Sequence, residues 1–246
     1  MIARMAGELD NDSVAKAYAG WAPVYDLVFG AVFAAGRRAS IAAAERIGGR
    51  ILDVGVGTGI SLAEYSPHNR IIGVDYSEPM LRKSHERVGR RRLTHVEALA
   101  VMDAQQLGFR DAYFDAVVAQ YVITTVPDPE RVLNEFARVT RPGGEIILVN
   151  HLGAEAGLQR DFELWFAPLA GRLGWRPEFQ WARLSGWARR HGGVRLIERR
   201  VMPPMRLFSL IRFGRSGGAG QAGDCGCGSF GAYERGAPPM NSDTLG

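Results

Sequence analysis

One seven-residue run constrains this chain more than anything else in it: Asp53-Val54-Gly55-Val56-Gly57-Thr58-Gly59, set between a strand pattern and a helical pattern. Glycine at every second position after a strand permits a tight turn and lets a ligand come close to the backbone. Alone, a Gly-x-Gly-x-Gly run is weak evidence, and its context strengthens it. Short, continuously apolar runs recur at Arg50 to Val54, Arg70 to Val74, Ala98 to Met102, Phe114 to Ala119 and Glu145 to Asn150. Apolar throughout rather than alternating, they have the make-up of buried parallel strands.

Amphipathic stretches fill the gaps, which predicts a β-α-β series. Ser77 has N-cap chemistry ahead of Pro79 and a helix through Met80 to Val88. Asp128 and Pro129 open a second helix through Val139, and Pro142-Gly143-Gly144 stops it. Two late runs, Val194 to Val201 and Phe208 to Phe213, are separated by Pro203-Pro204 and predict an antiparallel hairpin at one sheet edge. The expected architecture is α/β: a seven-stranded, mostly parallel sheet with an antiparallel C-terminal hairpin and helices on both faces. The expected division is an N-terminal segment 1–44, a main domain 45–213 with a helical insertion at 152–192, and a disordered Gly/Ser-rich tail 214–246.

Composition excludes several classes. At 246 residues, 46% hydrophobic and 23% charged, the chain is long enough and apolar enough for a full core, so wholesale disorder is out. Its two cysteines, Cys225 and Cys227, are too close together to staple a fold and too few for a zinc site. No metal is expected. The net charge of +4 is unevenly spread: residues 172–215 hold 11 arginines against Glu178 and Glu198. Such a stretch suits an anionic surface or a solvated arginine-rich face. No secretory signal is visible, and Pro23 and Asp26 spoil the one apolar stretch near membrane-span length.

Acidic residues end the strands. Asp75 lies 22 residues after Asp53, where a carboxylate accepts both hydroxyls of a ribose, and Asp103 ends the third strand, where it faces an adenine amino group. A dinucleotide site carries Gly-x-Gly-x-x-Gly and meets a pyrophosphate, which Asp53 would repel. An α-amino group beside Asp53 is favourable instead, and S-adenosylmethionine has one and no phosphate. No Gly-Lys-Ser/Thr occurs, so a P-loop is excluded.

With these residues in place the chain resembles the class I S-adenosylmethionine-dependent methyltransferases over residues 45–150, a Rossmann-like fold. The likeness rests on the 53–59 loop, Asp75, Met102-Asp103-Ala104 and Arg141-Pro142-Gly143-Gly144. The flanks Val24-Tyr25-Asp26-Leu27-Val28-Phe29, Gln120-Tyr121-Val122-Ile123-Thr124, Val149-Asn150-His151 and Phe208 to Arg212 extend it to residues 10–213. There it is similar to the bacterial phosphatidylethanolamine N-methyltransferases of the Rhodobacter (PmtA) type. The resemblance implies stepwise methylation of phosphatidylethanolamine, through its monomethyl and dimethyl forms, to phosphatidylcholine, with S-adenosylhomocysteine as the other product.

The expected cofactor contacts are Gly55, Gly57 and Thr58 through the backbone, Asp53 near the methionine amino group, Asp75 on the ribose and Met80 packing nearby. Met102, Asp103 and Ala104 frame the adenine, and Gln120 lies near the methionine end. Tyr18, Trp21, Tyr25 and Phe29 suit either aromatic faces for a growing cation or a core-packing aromatic stripe. Related phosphobase methyltransferases pair a lid tyrosine with a histidine, which here implies Tyr25 with His151, and Tyr18 beside them.

A lipid acceptor implies a peripheral protein at the cytoplasmic face of an anionic phospholipid membrane. Leu27 to Ala35, flanked by Arg37 and Arg38, has the make-up of an interfacial helix, and Trp175, Trp181 and Trp187 in the basic stretch suit headgroups or an ordinary helical insertion. No nucleic acid and no obligate protein partner are expected. The rival readings are a methyltransferase of a soluble small molecule or quinone ring, an RNA methyltransferase, and a cofactor-binding regulator without catalysis.

Overall fold

The computed structural model describes residues 33–152, 179–202 and 208–217. Seven strands form one sheet: β1 (Arg50–Val54), β2 (Arg70–Asp75), β3 (Val96–Val101), β4 (Phe114–Gln120), β5 (Thr140–His151), β6 (Val194–Met202) and β7 (Phe208–Arg215). Their order is β3-β2-β1-β4-β5-β7-β6, with β7 antiparallel to both neighbours and the other adjacent pairs parallel. The late hairpin expected from the sequence therefore inserts its second strand into the sheet and leaves its first at the edge.

Strand alternation splits the core into two layers. Leu52, Val54, Val117, Ala119, Ile146, Leu148, Ile211 and Phe213 face one side, where α3 (Pro129–Val139) and α4 (Trp181–His191) cover them. Ile51, Ala116, Val118, Ile147, Val149, Phe208 and Leu210 face the other, against α1 (residues 33–47), a 3-10 turn at Ser61–Glu64 and α2 (Glu78–Arg91). Burial of these side chains at about 25 cal/mol per Å² is what holds the layers together.

Local chemistry sets the helix ends. The Asp128 side chain accepts the Arg131 amide at 3.1 Å, with Pro129 in the first turn of α3. Ser77 takes the N-cap position of α2, yet its hydroxyl makes no cap bond, so the capping chemistry read from the sequence is not used there. Pro142-Gly143-Gly144 forms an irregularity early in β5: pairing with β4 runs from Thr140 opposite Phe114 to Glu145 opposite Ala116. β3 starts two residues earlier than its apolar run, because Glu97 is held there by Arg50 and Arg70. The division expected at residue 44 falls inside α1, whose Ile41, Ala43 and Ala44 are buried in the same layer as β1.

The two described tryptophans of the basic stretch pack against the core. Trp187 is 3% exposed in the core and donates its indole N–H to Asn134 Oδ1 at 2.8 Å, and Trp181 stacks on Phe213. The insertion alternative accounts for both. Trp175 lies outside the described residues.

Candidate active site

At the carboxyl end of the sheet, β1 has β2 on one side and β4 on the other, the switch point where open α/β sheets hold ligands. The glycine loop leaves β1 there. Its turn is pinned by the Gly55 and Val56 amides donating to Val74 O at 2.8 and 3.1 Å, and by Gly59 donating to Val56 O at 3.0 Å. Gly55 has φ +70°, and a Cβ on it would stand 2.2 Å from Val122 Cγ2, so glycine is required twice over. From α2, the Ser84 hydroxyl donates to Gly57 O at 2.8 Å.

Asp75 joins loop and helix. Its Oδ2 accepts the Gly57 amide and its Oδ1 the Ser77 amide, both at 2.8 Å. Burial pushes its carboxyl above the usual range, and the amide bonds oppose that shift. Asp103 Oδ1 accepts the Gln105 amide at 2.8 Å, which holds the carboxylate at the end of β3.

A cavity of about 1000 Å³, open to solvent, lies against these groups. Gly55, Gly57, Thr58, Asp75, Met80, Met102, Asp103, Ala104 and Gln120 line it, so the structure gathers nine of the ten residues expected at the cofactor. Asp53 is the exception. It is 1% exposed, its Oδ2 accepts the Ser61 hydroxyl at 2.7 Å, and it lies behind the loop instead of along the cavity. Burial drives its carboxyl up to about 7 from an ordinary 3.8, with the Ser61 bond pulling the other way and the Asp75 charge adding a smaller upward push.

A second cavity of about 550 Å³ adjoins the first. The two share Gly55, Gly57, Thr58, Gln120 and Tyr121; the second adds Phe33, Arg37 and Ser61. Tyr121 forms the wall between them. It has φ +63°, a left-handed conformation unusual for a bulky residue, and its amide donates to Val149 O at 2.6 Å. Its ring lies 4.2 Å from Phe33 and 5.2 Å from Phe208, and its hydroxyl donates to Phe33 O at 3.1 Å. His151 stands behind this cluster, edge-on to Phe208 at 6.4 Å and outside the lining of both cavities. Tyr18, Trp21, Tyr25 and Phe29 lie outside the described residues.

Sequence reasoning missed Tyr121, Phe33 and Arg37 as lining, since an aromatic residue after a strand and an arginine in an apolar helix look like packing and solvent contact. The unused signal was a buried-strand pattern ending in Gln120-Tyr121, two large residues at the switch point.

The cavities fit S-adenosylmethionine by the donors left over. Ser77 Oγ and Gln120 Nε2 are buried along the first cavity with no hydrogen-bond partner, and such atoms cost free energy until a ligand meets them. Asp75 and Asp103 supply the acceptors for a ribose and an amino group, and among the described residues no cationic side chain lines this cavity, which suits a sulfonium. No group of three or more His, Cys, Asp and Glu stands together among the described residues to hold a metal ion.

Known proteins carry the same pattern. The methyltransferase domain family matches residues 52–148. The phosphatidylethanolamine N-methyltransferase of Cereibacter sphaeroides is 40% identical over 84% of this chain and the whole of that protein. A demethylmenaquinone methyltransferase of Thermus thermophilus is 36% identical over 52% of this chain and 61% of its own. Among solved structures, phosphoethanolamine N-methyltransferase 2 of Haemonchus contortus, in complex with phosphomonomethylethanolamine and S-adenosylhomocysteine, superposes with a TM-score of 0.57 and 22% identity, covering 78% of this chain and 44% of that one.

Proposed function

This chain belongs to the class I S-adenosylmethionine-dependent methyltransferases, in the family of the bacterial phosphatidylethanolamine N-methyltransferases, and we propose that it methylates the amine of phosphatidylethanolamine, stepwise through the monomethyl and dimethyl forms to phosphatidylcholine. The observation that carries this reading is the length of the likeness. It spans 84% of this chain and the whole Cereibacter sphaeroides protein at 40% identity, whereas the Thermus thermophilus demethylmenaquinone methyltransferase matches 52% of this chain and 61% of its own length.

When bound, S-adenosylmethionine supplies an electrophilic methyl group on a sulfonium. The chain has the rest to do. The acceptor amine, with a pKa near 10, arrives mostly protonated, so a residue must take a proton, water must be excluded and the nitrogen must be held in line with the methyl. Asp75, Ser77, Met102, Asp103 and Ala104 hold the nucleoside, and Gly55, Gly57, Thr58 and Gln120 lead from it toward Tyr121. Tyr121, braced by Phe33 and Phe208, offers a π face at the wall between the cavities, where a substituted ammonium gains from cation–π attraction. His151 takes the proton, with Tyr25 and Tyr18, which lie outside the described residues, as its partners in the reaction. Asp53 acts through the loop: its buried carboxyl, held by the Ser61 hydroxyl, supports the residues that would meet the methionine amino group.

The lipid acceptor requires contact with an anionic membrane surface. Among the described residues no helix is long and apolar enough to cross a membrane. The peripheral attachment rests on the N-terminal apolar run with Arg38, which is exposed; Phe33 of that run and Arg37 are turned inward, Trp187 belongs to the core and Trp181 packs against it. The protein works at the cytoplasmic face, without nucleic acid or an obligate protein partner.

The test is transfer of labelled methyl from S-adenosylmethionine to phosphatidylethanolamine vesicles, with products separated by headgroup. Mono-, di- and trimethylated lipid is the expected result. No labelled lipid on vesicles that the protein demonstrably binds would overturn the acceptor and favour a ring or soluble-molecule acceptor.

A further inference from the structure

Among the described residues Arg37 is the one cationic side chain lining either cavity. It is 9% exposed overall, although arginine is seldom buried without a charged partner. Its partner is Glu64: Nε donates to Glu64 Oε1 at 2.8 Å, the one hydrogen bond that the Arg37 guanidinium makes to a described residue. A guanidinium is a planar fork with five donors, so the Glu64 bond uses one and leaves four on a side chain that lines the cavity. The backbone that carries it is held in place. α1 packs so closely at Gly36 that a Cβ there would lie 2.4 Å from the Tyr121 hydroxyl, and the Ser40 hydroxyl donates to Arg37 O at 2.9 Å. Across the same cavity Gln120 Nε2 is buried with no partner.

The cofactor carries one anion, the carboxylate of its methionyl end. Its nucleoside belongs in the first cavity, whose ionisable lining residues are Asp75, Tyr76, Asp103 and Tyr121, with none cationic, so that cavity repels a carboxylate. The amino-acid tail leaves the sulfur along the residues common to both cavities and ends in the second, where Arg37 and Gln120 stand. We propose that Arg37, with the Gln120 amide lining the same cavity, holds the methionyl carboxylate and that Glu64 fixes the orientation of its guanidinium. Arg37 is thus a cofactor-binding residue, Glu64 a positioning one. A lipid phosphate is the other anion of matching chemistry, and the test separates the two. The proposal rests on the cofactor and not on the lipid acceptor, so it stands or falls independently of the substrate.

The experiment compares S-adenosylhomocysteine with its decarboxylated analogue by calorimetry, on the full chain and on R37Q, R37K and E64Q, with folding checked by circular dichroism. A charge-assisted hydrogen bond pair predicts a wild-type preference for S-adenosylhomocysteine of about tenfold to a hundredfold. R37Q should bring that preference to within about threefold, R37K should keep part of it through its charge, and E64Q should keep more than R37Q does. A purely structural role would lower affinity for both ligands alike and leave the ratio unchanged; that result in R37Q overturns the proposal. So does an unchanged ratio with a raised KM for phosphatidylethanolamine vesicles, which assigns Arg37 to the lipid phosphate. If R37Q does not fold, the ratio in R37K decides: a value equal to wild type contradicts the proposal.

Discussion

The Gly57 amide donates to Asp75 Oδ2 at 2.8 Å, so the acid that ends β2 and the glycine loop that follows β1 form one piece of structure. Asp75 also accepts the Ser77 amide, which ties the start of α2 to the same carboxylate. A group intended for a ribose is therefore already oriented by backbone donors where it lines the cavity.

Replacing Asp75 by alanine should remove both ties and the ribose acceptor. Affinity for S-adenosylhomocysteine should fall by about tenfold to a hundredfold, read by calorimetry. Loss of less than about threefold would mean that the loop holds its shape without the acid.

Gly55→Ala should be damaging, because a Cβ meets Val122 at a φ of +70°. A loss of about 1–3 kcal/mol in stability is expected from overpacking and strain together, with cofactor binding impaired. Adding Val122→Ala removes the clash and leaves the strained φ. The double variant should therefore recover only part of the loss in denaturant titration.

Asp53 titrates in the folded protein at about 7, against an ordinary 3.8. Below about pH 4 both states hold the proton; between there and pH 7 the unfolded chain releases it first; above that both are ionised. Its contribution to stability therefore falls as pH rises through this window, by about 4 kcal/mol at full extent. Asp53→Asn cannot titrate, so its Tm should gain on wild type from pH 5 to about pH 8. A difference in Tm that does not change with pH would contradict this.

The parts of the fold that the sequence made legible are those where burial is complete. β1, β2, β4 and the later part of β5 are apolar on both faces because helices cover both, and their runs match the strands closely. β3 was read short because Glu97, partnered by arginines, breaks the apolar pattern at an exposed edge. The nucleoside end of the site was legible because turn geometry demands glycine and ribose demands an acid. The methionine end was not. Arg37 sits in a helix that looks apolar and interfacial, and only the fold brings it to the cavity that Gln120 also lines; Tyr121 takes a strained conformation that no local pattern announces. Trp187 illustrates the converse: a tryptophan among arginines suits a membrane surface, yet its indole finds Asn134 in the core.

The Tyr121 wall makes a graded expectation. Tyr121→Phe keeps the ring and loses the bond to Phe33 O, so methyl transfer should stay within about fivefold of wild type. Tyr121→Ala removes the π face, and kcat/KM should fall by about tenfold to thirtyfold. Equal rates for the two variants would remove the ring from the account.

His151→Ala and Tyr25→Ala should each abolish transfer while leaving S-adenosylhomocysteine affinity within about threefold, since neither acts on the cofactor. Full turnover in either variant would rule out the assigned pair.

The most direct test of the acceptor uses one reaction mixture. Vesicles containing equal amounts of phosphatidylethanolamine and a demethylmenaquinol are incubated with the protein and S-adenosylmethionine labelled in its methyl group, and lipid classes are separated. The account predicts label in the mono-, di- and trimethylated headgroups; label confined to the quinone fraction would contradict it.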